Sequence, residues 1–345
     1  MAVGEAARFP LAELETRVAA ALRNAGASEA SLLAATRAML HASRHGIDSH
    51  GIRLTEHYCR MLQGGRLNKT PQLGVDIRAA GSAMVDGDDG LGHYAAYKAV
   101  EIGCEVARVS GVAGVGVAHS SHLGATGAYA LAGAEAGFVA FATTNTDSMV
   151  ALHDGAARFH GTNPLAFAAP VPGQKPWLLD MATSSIPMNR VLLHRAMGVD
   201  LPEGVAADAA GQMVTDPEVV EMLLPLGGEG YGYKGAGLAG VATLFSALLT
   251  GTTLDPDFIP MFGGEDISSH RNMGHFVMII DPDKFVGRAM FGQLMTRYLD
   301  GLRGAPVRAG AERVMAPGDR EWDEAERREA EGAPVDPDTM RFLGL

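Results

Sequence analysis

Apolar side chains in the first 65 residues recur every three or four positions, which is the spacing of one face of a helix. A first helix is predicted to begin at Pro10 and to stop at Gly26. Ser28 can cap a second helix that ends at Gly46, and a third is predicted over about 54–62. The chain therefore begins with helices.

The middle of the chain has a different pattern, with short apolar runs bounded by glycine and polar residues. Such runs are typical of buried strands covered by helices. Strands are predicted at about 112–117, 138–142, 165–169, 177–179 and 276–280, and a hairpin turns at 80–82. Helical patterns occur at about 94–106, 124–136, 237–249, 285–302 and 320–328. We expect the helix over 237–249 to be buried and the charged helix over 320–328 to be solvated.

This order of elements predicts a mixed α/β fold with two domains. Residues 1–72 and 284–345 are predicted to form a helical domain from both chain ends. Residues 73–283 are predicted to form a central domain around a mixed sheet.

Composition and charge exclude several classes of protein. The 345 residues carry a net charge of −12 without a cluster of Lys or Arg, which argues against nucleic-acid binding. We find no run of about 18 apolar residues and no signal peptide, so we expect a cytoplasmic protein that does not span a membrane. Two cysteines, Cys59 and Cys104, provide no metal-site spacing, and nothing favours a disulfide between them. An anionic substrate would have to be bound by local cations.

Two overlapping segments, 230–235 and 235–240, match the dinucleotide fingerprint G-x-G-x-x-G. The fingerprint requires a buried strand before it, and residues 226–229 read as a loop instead. We therefore reject a classical Rossmann domain. A Gly-rich loop with Lys234 at a helix N-terminus could still hold phosphate.

Ser49 and His50 suggest a serine hydrolase with Asp180 as the third member. We disfavour that interpretation because adjacent side chains diverge, and the histidine of a triad must reach the serine oxygen. Asp48 and Arg53 lie within the same six residues, so charge, hydrogen bonds and an acid/base group are gathered there. His50 is therefore predicted to carry the proton, with Ser49 helping to position it.

Other histidines have less specific surroundings. His122 falls at a predicted strand-to-helix turn, where ligands meet an α/β sheet, so we expect it to contact cofactor or substrate. His41 and His45 share a helix face that we expect to be solvated, and metal binding is improbable because further ligands are not evident. Asp180 ends a predicted strand, where it could orient a histidine or cap a helix.

From about Leu14 to Pro334, the chain resembles the malate/L-lactate dehydrogenases of the second type. That family includes sulfolactate, ureidoglycolate and diketogulonate oxidoreductases and the reductases of piperideine-2-carboxylate. The resemblance rests on motifs that occur in the family's order: GIDSHG (46–51), SSHLGATG (120–127), GTNPLAFAAP (161–170), DMATS (180–184), YKGAGLAG (233–240), SALLTG (246–251), GHFVMIIDP (274–282) and APGD (316–319).

The resemblance implies a non-Rossmann, L-sulfolactate dehydrogenase-like fold in which the central domain, 73–283, binds NAD(P). It also implies a homodimer with the active site near the interface. It implies that His50 is the proton donor and acceptor, with Ser49 and Asp180 as relay partners, although relatives differ and some assign the catalytic role to the position of His122. Implied cofactor contacts fall on Ser120, His122, Thr146, Asp180, Met181, Ala182, Lys234, Pro317 and Gly318.

Three departures from the family pattern affect this interpretation. Ser121 stands where relatives often have Asn, and Arg53 follows His50 by three residues where some relatives have four. No arginine stands at 170–172 to meet a 2′-phosphate, which favours NAD over NADP. We expect hydride transfer between NAD(P)H and C2 of a small 2-oxo acid, with Arg53 binding its carboxylate. An imine substrate, or a protein that binds NAD(P)H without catalysis, remains an alternative.

Overall fold

The computed structural model describes residues 7–261 and 263–345. Its helices are α1 (Leu11–Asn24), α2 (Glu29–Arg44), α3 (Thr55–Gly64), α4 (Gly92–Ser110), α5 (Gly127–Glu135), α6 (Met188–Met197), α7 (Gly228–Thr243), α8 (Arg288–Arg303), α9 (Asp319–Glu331) and α10 (Pro337–Leu343). Its strands are β1 (Arg8–Phe9), β2 (Gly74–Ala79), β3 (Ser82–Asp86), β4 (Val112–Ser120), β5 (Val139–Thr144), β6 (Val150–Ala151), β7 (Arg158–His160), β8 (Leu165–Ala169), β9 (Trp177–Met181), β10 (Ala206–Ala207), β11 (Met222–Leu223), β12 (Met273–Ile280) and β13 (Ala333–Pro334). None of these helices is long and apolar enough to cross a membrane.

Helices from the two chain ends share one hydrophobic core. Leu14, Leu22 and Leu32 from the N-terminal helices pack there with Val335 and Leu343 from the C-terminus. The two ends are also joined by backbone hydrogen bonds, because β1 pairs antiparallel with β13. The three predicted N-terminal helices are confirmed. The domain boundaries at 72/73 and 283/284 stay a prediction.

The central sheet is mixed, with the strand order β2-β3-β4-β12-β5-β8-β9 in the described residues. β3 and β4 pair in parallel, whereas the other neighbouring strands are antiparallel. Helices α4 and α5 cover one face, over a core that includes Val115, Tyr129 and Ile279. Phe141 and Phe245 belong to a smaller cluster on the other face, which α7 covers. The predicted mixed α/β class is confirmed, and the sheet lacks the parallel order of a classical Rossmann domain.

Strand directions bring distant parts of the sequence to one edge of this sheet. β12 runs antiparallel to both β4 and β5, and β9 returns to their direction through β8. The carboxyl ends of β4, β5 and β9 therefore lie along the same edge. At that level Ser120 pairs with Met273, His275 with Thr144, and Leu165 with Met181.

The segment predicted as a Gly-rich loop is helical, so that prediction is wrong. α7 begins at Gly228, and residues 230–235 form its first turns. Glycine is required here for close packing, because a Cβ on Gly235 would lie 2.2 Å from the carbonyl oxygen of Leu226. The expectation of a buried helix over 237–249 is also wrong, because several leucines of this segment are exposed.

Arg328 joins α9 to the turn that carries His50. Only 5% of this residue is exposed. Its guanidinium donates to the Asp48 carboxylate, with 2.9 Å between Nη2 and Oδ2, and to the Ser43 carbonyl oxygen at 2.6 Å. It also pairs with Glu324 one turn earlier. The predicted solvated helix therefore has one buried, charged anchor.

We expect Arg328→Met to lower the free energy of unfolding by about 1–3 kcal/mol, because it leaves the Ser43 carbonyl without its donor. Urea unfolding followed by circular dichroism measures this change. The control is Arg327→Met on the exposed side of the same helix, whose ion pairs with Glu324 and Glu331 lie at the surface. Equal unfolding midpoints for the two variants would contradict the anchoring role of Arg328.

Candidate active site

A cavity of about 1000 Å³ lies between the carboxyl edge of the central sheet, residues 41–53 and helix α9. Its lining comes from 41–53, the segment after β4, the ends of β5 and β9, α6 and α9. The predicted site residues found in this lining are Ser49, His50, Arg53, His122, Thr146, Asp180, Met181 and Ala182. The lining does not include Ser120, Lys234, Pro317 or Gly318. The volume is suited to a cofactor-sized ligand.

Ser49 and His50 are in direct contact, which corrects the expectation that adjacent side chains would diverge. Residues 48–50 form a short 3₁₀ turn, and Ser49 Oγ lies 2.7 Å from His50 Nδ1. The turn packs tightly on α2 through Gly51, where a Cβ would lie 2.2 Å from Ser43 Oγ. Ser43 Oγ also accepts a hydrogen bond from Ile52 N at 3.0 Å. A larger residue at position 51 would push the histidine turn away from the helix.

His50 is held mainly in its neutral form. Burial lowers its pKa from the ordinary 6.5 to about 4, and the charge of Arg53 acts in the same direction. Arg53 itself is exposed and lines the cavity. A neutral imidazole can accept a proton at neutral pH, which is what oxidation of an alcohol requires.

His122 lies beside His50, with the two rings nearly parallel and their centroids 5.6 Å apart. It follows β4 by two residues, at the predicted strand-to-helix turn. Burial lowers its pKa well below 6.5, and the charges of neighbouring histidines and of Arg271 add to this effect. Two imidazoles therefore face the same cavity in neutral form.

Asp180, near the end of β9, accepts a hydrogen bond from the backbone N–H of Gly127 at 2.8 Å. Gly127 is the first residue of α5, so the carboxylate caps that helix from a neighbouring strand. A Cβ on Gly127 would lie 2.7 Å from Asp180 Oδ2. Burial raises the pKa of Asp180 to about 6, although the Gly127 hydrogen bond opposes this shift. Its predicted role as relay partner of His50 stays a prediction.

The remaining predicted cofactor residues lie near the cavity wall or away from it. Ser120 Oγ is turned into the sheet, 2.9 Å from His275 Nε2. Gly318 caps α9 with a φ of 96°, and the carbonyl of Pro317 accepts from Leu178 N at 3.4 Å, beside β9. Lys234 is exposed on α7, with its Nζ 5.0 Å from the ring centroid of Tyr231.

His41 and His45 are buried, so the expectation of a solvated face is wrong. Their rings lie 4.3 Å apart, and His45 also contacts the edge of Trp322 from α9. Packing of α9 over α2 removes this face from solvent. The described residues contain no group of three or more His, Cys, Asp or Glu that could hold a metal ion.

Comparison with known proteins gives the family. The sequence model described as malate/L-lactate dehydrogenase matches residues 9–344, nearly the whole chain. The chain belongs to the malate/L-lactate dehydrogenase family. It is therefore an enzyme of the dehydrogenase and reductase class.

Relatives and solved structures agree with this assignment. The chain is 32% identical to a Δ¹-pyrroline-2-carboxylate/Δ¹-piperideine-2-carboxylate reductase of Pseudomonas putida over 97% of this chain and 96% of that protein. It is 30% identical to the NAD(+) ureidoglycolate dehydrogenase of Escherichia coli K12 over 88% and 86% of the two chains. The structure of malate dehydrogenase from Pyrococcus horikoshii superposes with a TM-score of 0.89 at 27% identity, over 98% and 94% of the two chains. The L-sulfolactate dehydrogenase-like fold is confirmed.

Sequence reasoning missed a buried carboxylate that holds two loops of this dehydrogenase cavity. Asp255 is 1% exposed and accepts hydrogen bonds from Asn163 Nδ2 at 2.7 Å and Asn145 Nδ2 at 2.8 Å, and from the backbone N–H of Gly161. Asn163 Oδ1 in turn accepts from Thr146 N at 3.0 Å. Burial alone would raise the pKa of Asp255, but the hydrogen bond to His160 Nδ1 at 3.1 Å, together with these bonds, keeps it below its usual value. No local pattern marks Asp255, because its partners in the two loops lie 94 residues away at Gly161 and 110 residues away at Asn145.

The buried neutral histidines predict acid-sensitive stability. Burial lowers the pKa of His50 to about 4 and those of His93 and His275 to about 3, while the unfolded chain titrates near 6.5. Below pH 6.5 the unfolded chain binds protons first, so stability is full above pH 6.5 and falls as pH drops toward 4. Each histidine contributes up to about 1.4 kcal/mol per pH unit, and Asp180 opposes part of this loss.

Urea unfolding at pH 7.5, 6 and 5 measures this slope. His93→Leu should make the slope shallower, because it removes a side chain whose pKa is lowered by burial. The described residues offer the nitrogens of His93 no hydrogen-bond partner, so the substitution breaks no such bond among them. His194→Gln on α6 is the control for loss of a histidine outside this set. A free energy of unfolding that is constant from pH 7.5 to 5 would contradict the neutral state of these side chains.

Proposed function

We propose that this chain is an NAD(P)-dependent oxidoreductase that interconverts a small 2-oxo acid and the matching 2-hydroxy acid. The observation that carries the proposal is the contact of His50 with Ser49 beside His122 in a cofactor-sized cavity, in a member of a dehydrogenase family. When bound, the nicotinamide cofactor supplies or accepts the hydride at C2 of the substrate.

In this proposal His50 moves the proton. In the reducing direction the protonated ring donates to the substrate oxygen as negative charge develops there. In the oxidising direction the neutral ring accepts the hydroxyl proton. Ser49 Oγ can either accept from Nδ1 or donate to it, so His50 keeps a partner in both protonation states. Asp180 lines the same cavity, and its charge would favour the protonated form of a nearby ring.

Residues along the cavity fit a dinucleotide. We infer that Met181, Ala182 and Thr146 line its path, and that the N-terminus of α9 at Gly318 favours its negative phosphates. The predicted contacts of Ser120, Pro317 and Lys234 are kept as part of the proposal. The preference for NAD is also kept, although the exposed Arg190 and Arg320 on the lining provide cations suited to a 2′-phosphate.

We infer that Arg53 binds the substrate carboxylate, because it is an exposed cation three residues after His50 on the lining. The relative that acts on cyclic imino acids makes an imine the second candidate substrate. The same proton transfer from His50 would then serve the nitrogen. The hydrolase alternative is disfavoured because Asp180 caps α5, and the chain belongs to a dehydrogenase family.

An assay of NADH and NADPH oxidation tests the proposed function. Purified protein is given pyruvate, oxaloacetate, 2-oxoglutarate, sulfopyruvate, pyruvate with methylamine, and piperideine-2-carboxylate. We expect turnover with at least one of these compounds and a loss of about 10²–10⁴-fold in kcat for His50→Ala. His194→Ala, outside the cavity, is the control. Nucleotide binding without turnover of any compound would favour a protein that binds NAD(P)H without catalysis, and wild-type turnover by His50→Ala would contradict the role of His50.

We further propose that the protein is a cytoplasmic homodimer. An apolar stripe runs along α7 and the π-helical segment 244–248 that follows it. Its exposure supports the packing of a second copy of this chain against that face. The stripe comprises Leu238, Val241, Leu244, Leu248 and Leu249, and Leu248 is 62% exposed. Such spacing is typical of a helix face that packs against another apolar surface. Cys59 and Cys104 are buried free thiols, as suits a reducing compartment.

Light scattering after size-exclusion chromatography tests the dimer. We expect twice the 36.0 kDa mass of one chain for the wild-type protein. Leu244→Lys combined with Leu248→Lys should give the single-chain mass, because two charges would be buried in the interface. The control is Leu33→Lys on α2, an equally exposed leucine outside the stripe. A monomeric wild type, or a dimer that survives both lysines, would contradict this interface.

A further inference from the structure

Tyr58 and Gly124 both form hydrogen bonds with the same nitrogen of His122. The hydroxyl of Tyr58, a buried residue of α3, lies 2.7 Å from His122 Nδ1. The backbone N–H of Gly124 donates to that nitrogen at 3.3 Å. Neither Tyr58 nor Gly124 was among the predicted catalytic or cofactor-binding residues.

These two contacts determine where the proton of His122 resides. An amide N–H can only donate, so Nδ1 must present its lone pair to Gly124. A neutral imidazole with a bare Nδ1 carries its hydrogen on Nε2. Burial raises the pKa of Tyr58 well above its ordinary value, so its hydroxyl keeps a proton. With Nδ1 bare toward Gly124, that hydroxyl donates to the same nitrogen. His122 is thereby restricted to one tautomer.

Burial, the Gly124 N–H and neighbouring positive charges oppose protonation of His122. A second proton on Nδ1 would point at the Gly124 N–H and break that hydrogen bond, and the Tyr58 hydroxyl would have to turn from donor to acceptor. The charged forms of His50, His93 and His57 and the guanidinium of Arg271 would also repel an imidazolium at this position. Nδ1 of His50 contacts the Ser49 hydroxyl, which can accept as well as donate, whereas the Gly124 N–H at His122 can only donate. Arg53 is the charged group that opposes protonation of His50.

We propose that Tyr58 and Gly124 hold His122 as a fixed Nε2–H donor, and that His50 alone exchanges the proton. This inference rests on the proposed function. In reduction, hydride arrives at C2 while Nε2–H of His122 donates a hydrogen bond to the substrate oxygen, which gains the electron pair of the carbonyl π bond. His50 then transfers its proton to that oxygen and becomes neutral, and His122 ends the cycle with the hydrogen it began with. Tyr58 and Gly124 are positioning residues that act through His122.

Nitrogen-15 NMR of histidine-labelled protein tests the tautomer without any turnover. At pH 7 the His122 signals, assigned by their loss in His122→Gln, should report hydrogen on Nε2 and a bare Nδ1. Tyr58→Phe should change the Nδ1 shift, and Tyr97→Phe on α4 is the control that should not. Hydrogen on Nδ1, or an imidazolium at pH 7, would overturn the proposal even if the protein is a dehydrogenase.

Kinetics separate the two histidines. Gln keeps an amide N–H donor but cannot titrate, so His122→Gln should keep much more activity than His122→Leu, which should lose about 10²–10³-fold in kcat. His122→Gln should also retain the wild-type pH dependence of kcat/KM, whereas His50→Gln should abolish it. Loss of the pH dependence in His122→Gln with retention in His50→Gln would overturn the assignment. Absence of turnover by the wild type would contradict the proposed function instead, and the NMR result would still decide the tautomer.

Discussion

The strand directions of the central sheet are the constraint on which the site depends. Because β4, β5 and β9 run the same way within a largely antiparallel sheet, their carboxyl ends share one edge. His122, Thr146 and Asp180 come from segments far apart in sequence, and this register alone places them around one cavity. Residues 41–53, which include the His50 turn, form another wall of this cavity. Arg328 joins that turn to α9 through Asp48.

Burial of polar groups determines the chemistry at this edge. Buried polar groups need hydrogen-bond partners. Asp255 accepts from Asn163 in the loop behind Thr146, and Tyr58 and Gly124 provide the partners of His122 Nδ1. The same burial keeps His50 and His122 neutral. In the proposed mechanism two similar side chains differ in function through their partners: the Ser49 hydroxyl would leave His50 free to titrate, whereas the Gly124 amide would fix His122.

Much of the fold and the lining of the site could be predicted from the sequence. Local periodicity indicated α1, α2 and α3, and short apolar runs indicated the strands of the central sheet. The predictions failed where the outcome depended on tertiary contacts. Glycines over 230–235 resembled a loop, yet they lie in α7, where Gly235 permits close packing against Leu226 before the helix. His41 and Arg328 resembled surface residues in the sequence, but the packing of α9 on α2 buries them. The contact of Ser49 with His50 depends on a 3₁₀ turn that no spacing rule indicates.

Transfer of deuterium tests the central claim most directly. The purified protein is incubated with NADH or NADPH labelled with deuterium at either face of C4, together with 2-oxo acids and cyclic imino acids, and the products are analysed by mass spectrometry. The account predicts a single deuterium at C2 of the 2-hydroxy acid or amino acid formed, delivered from one face of the cofactor. Cofactor binding without deuterium in any product would contradict it.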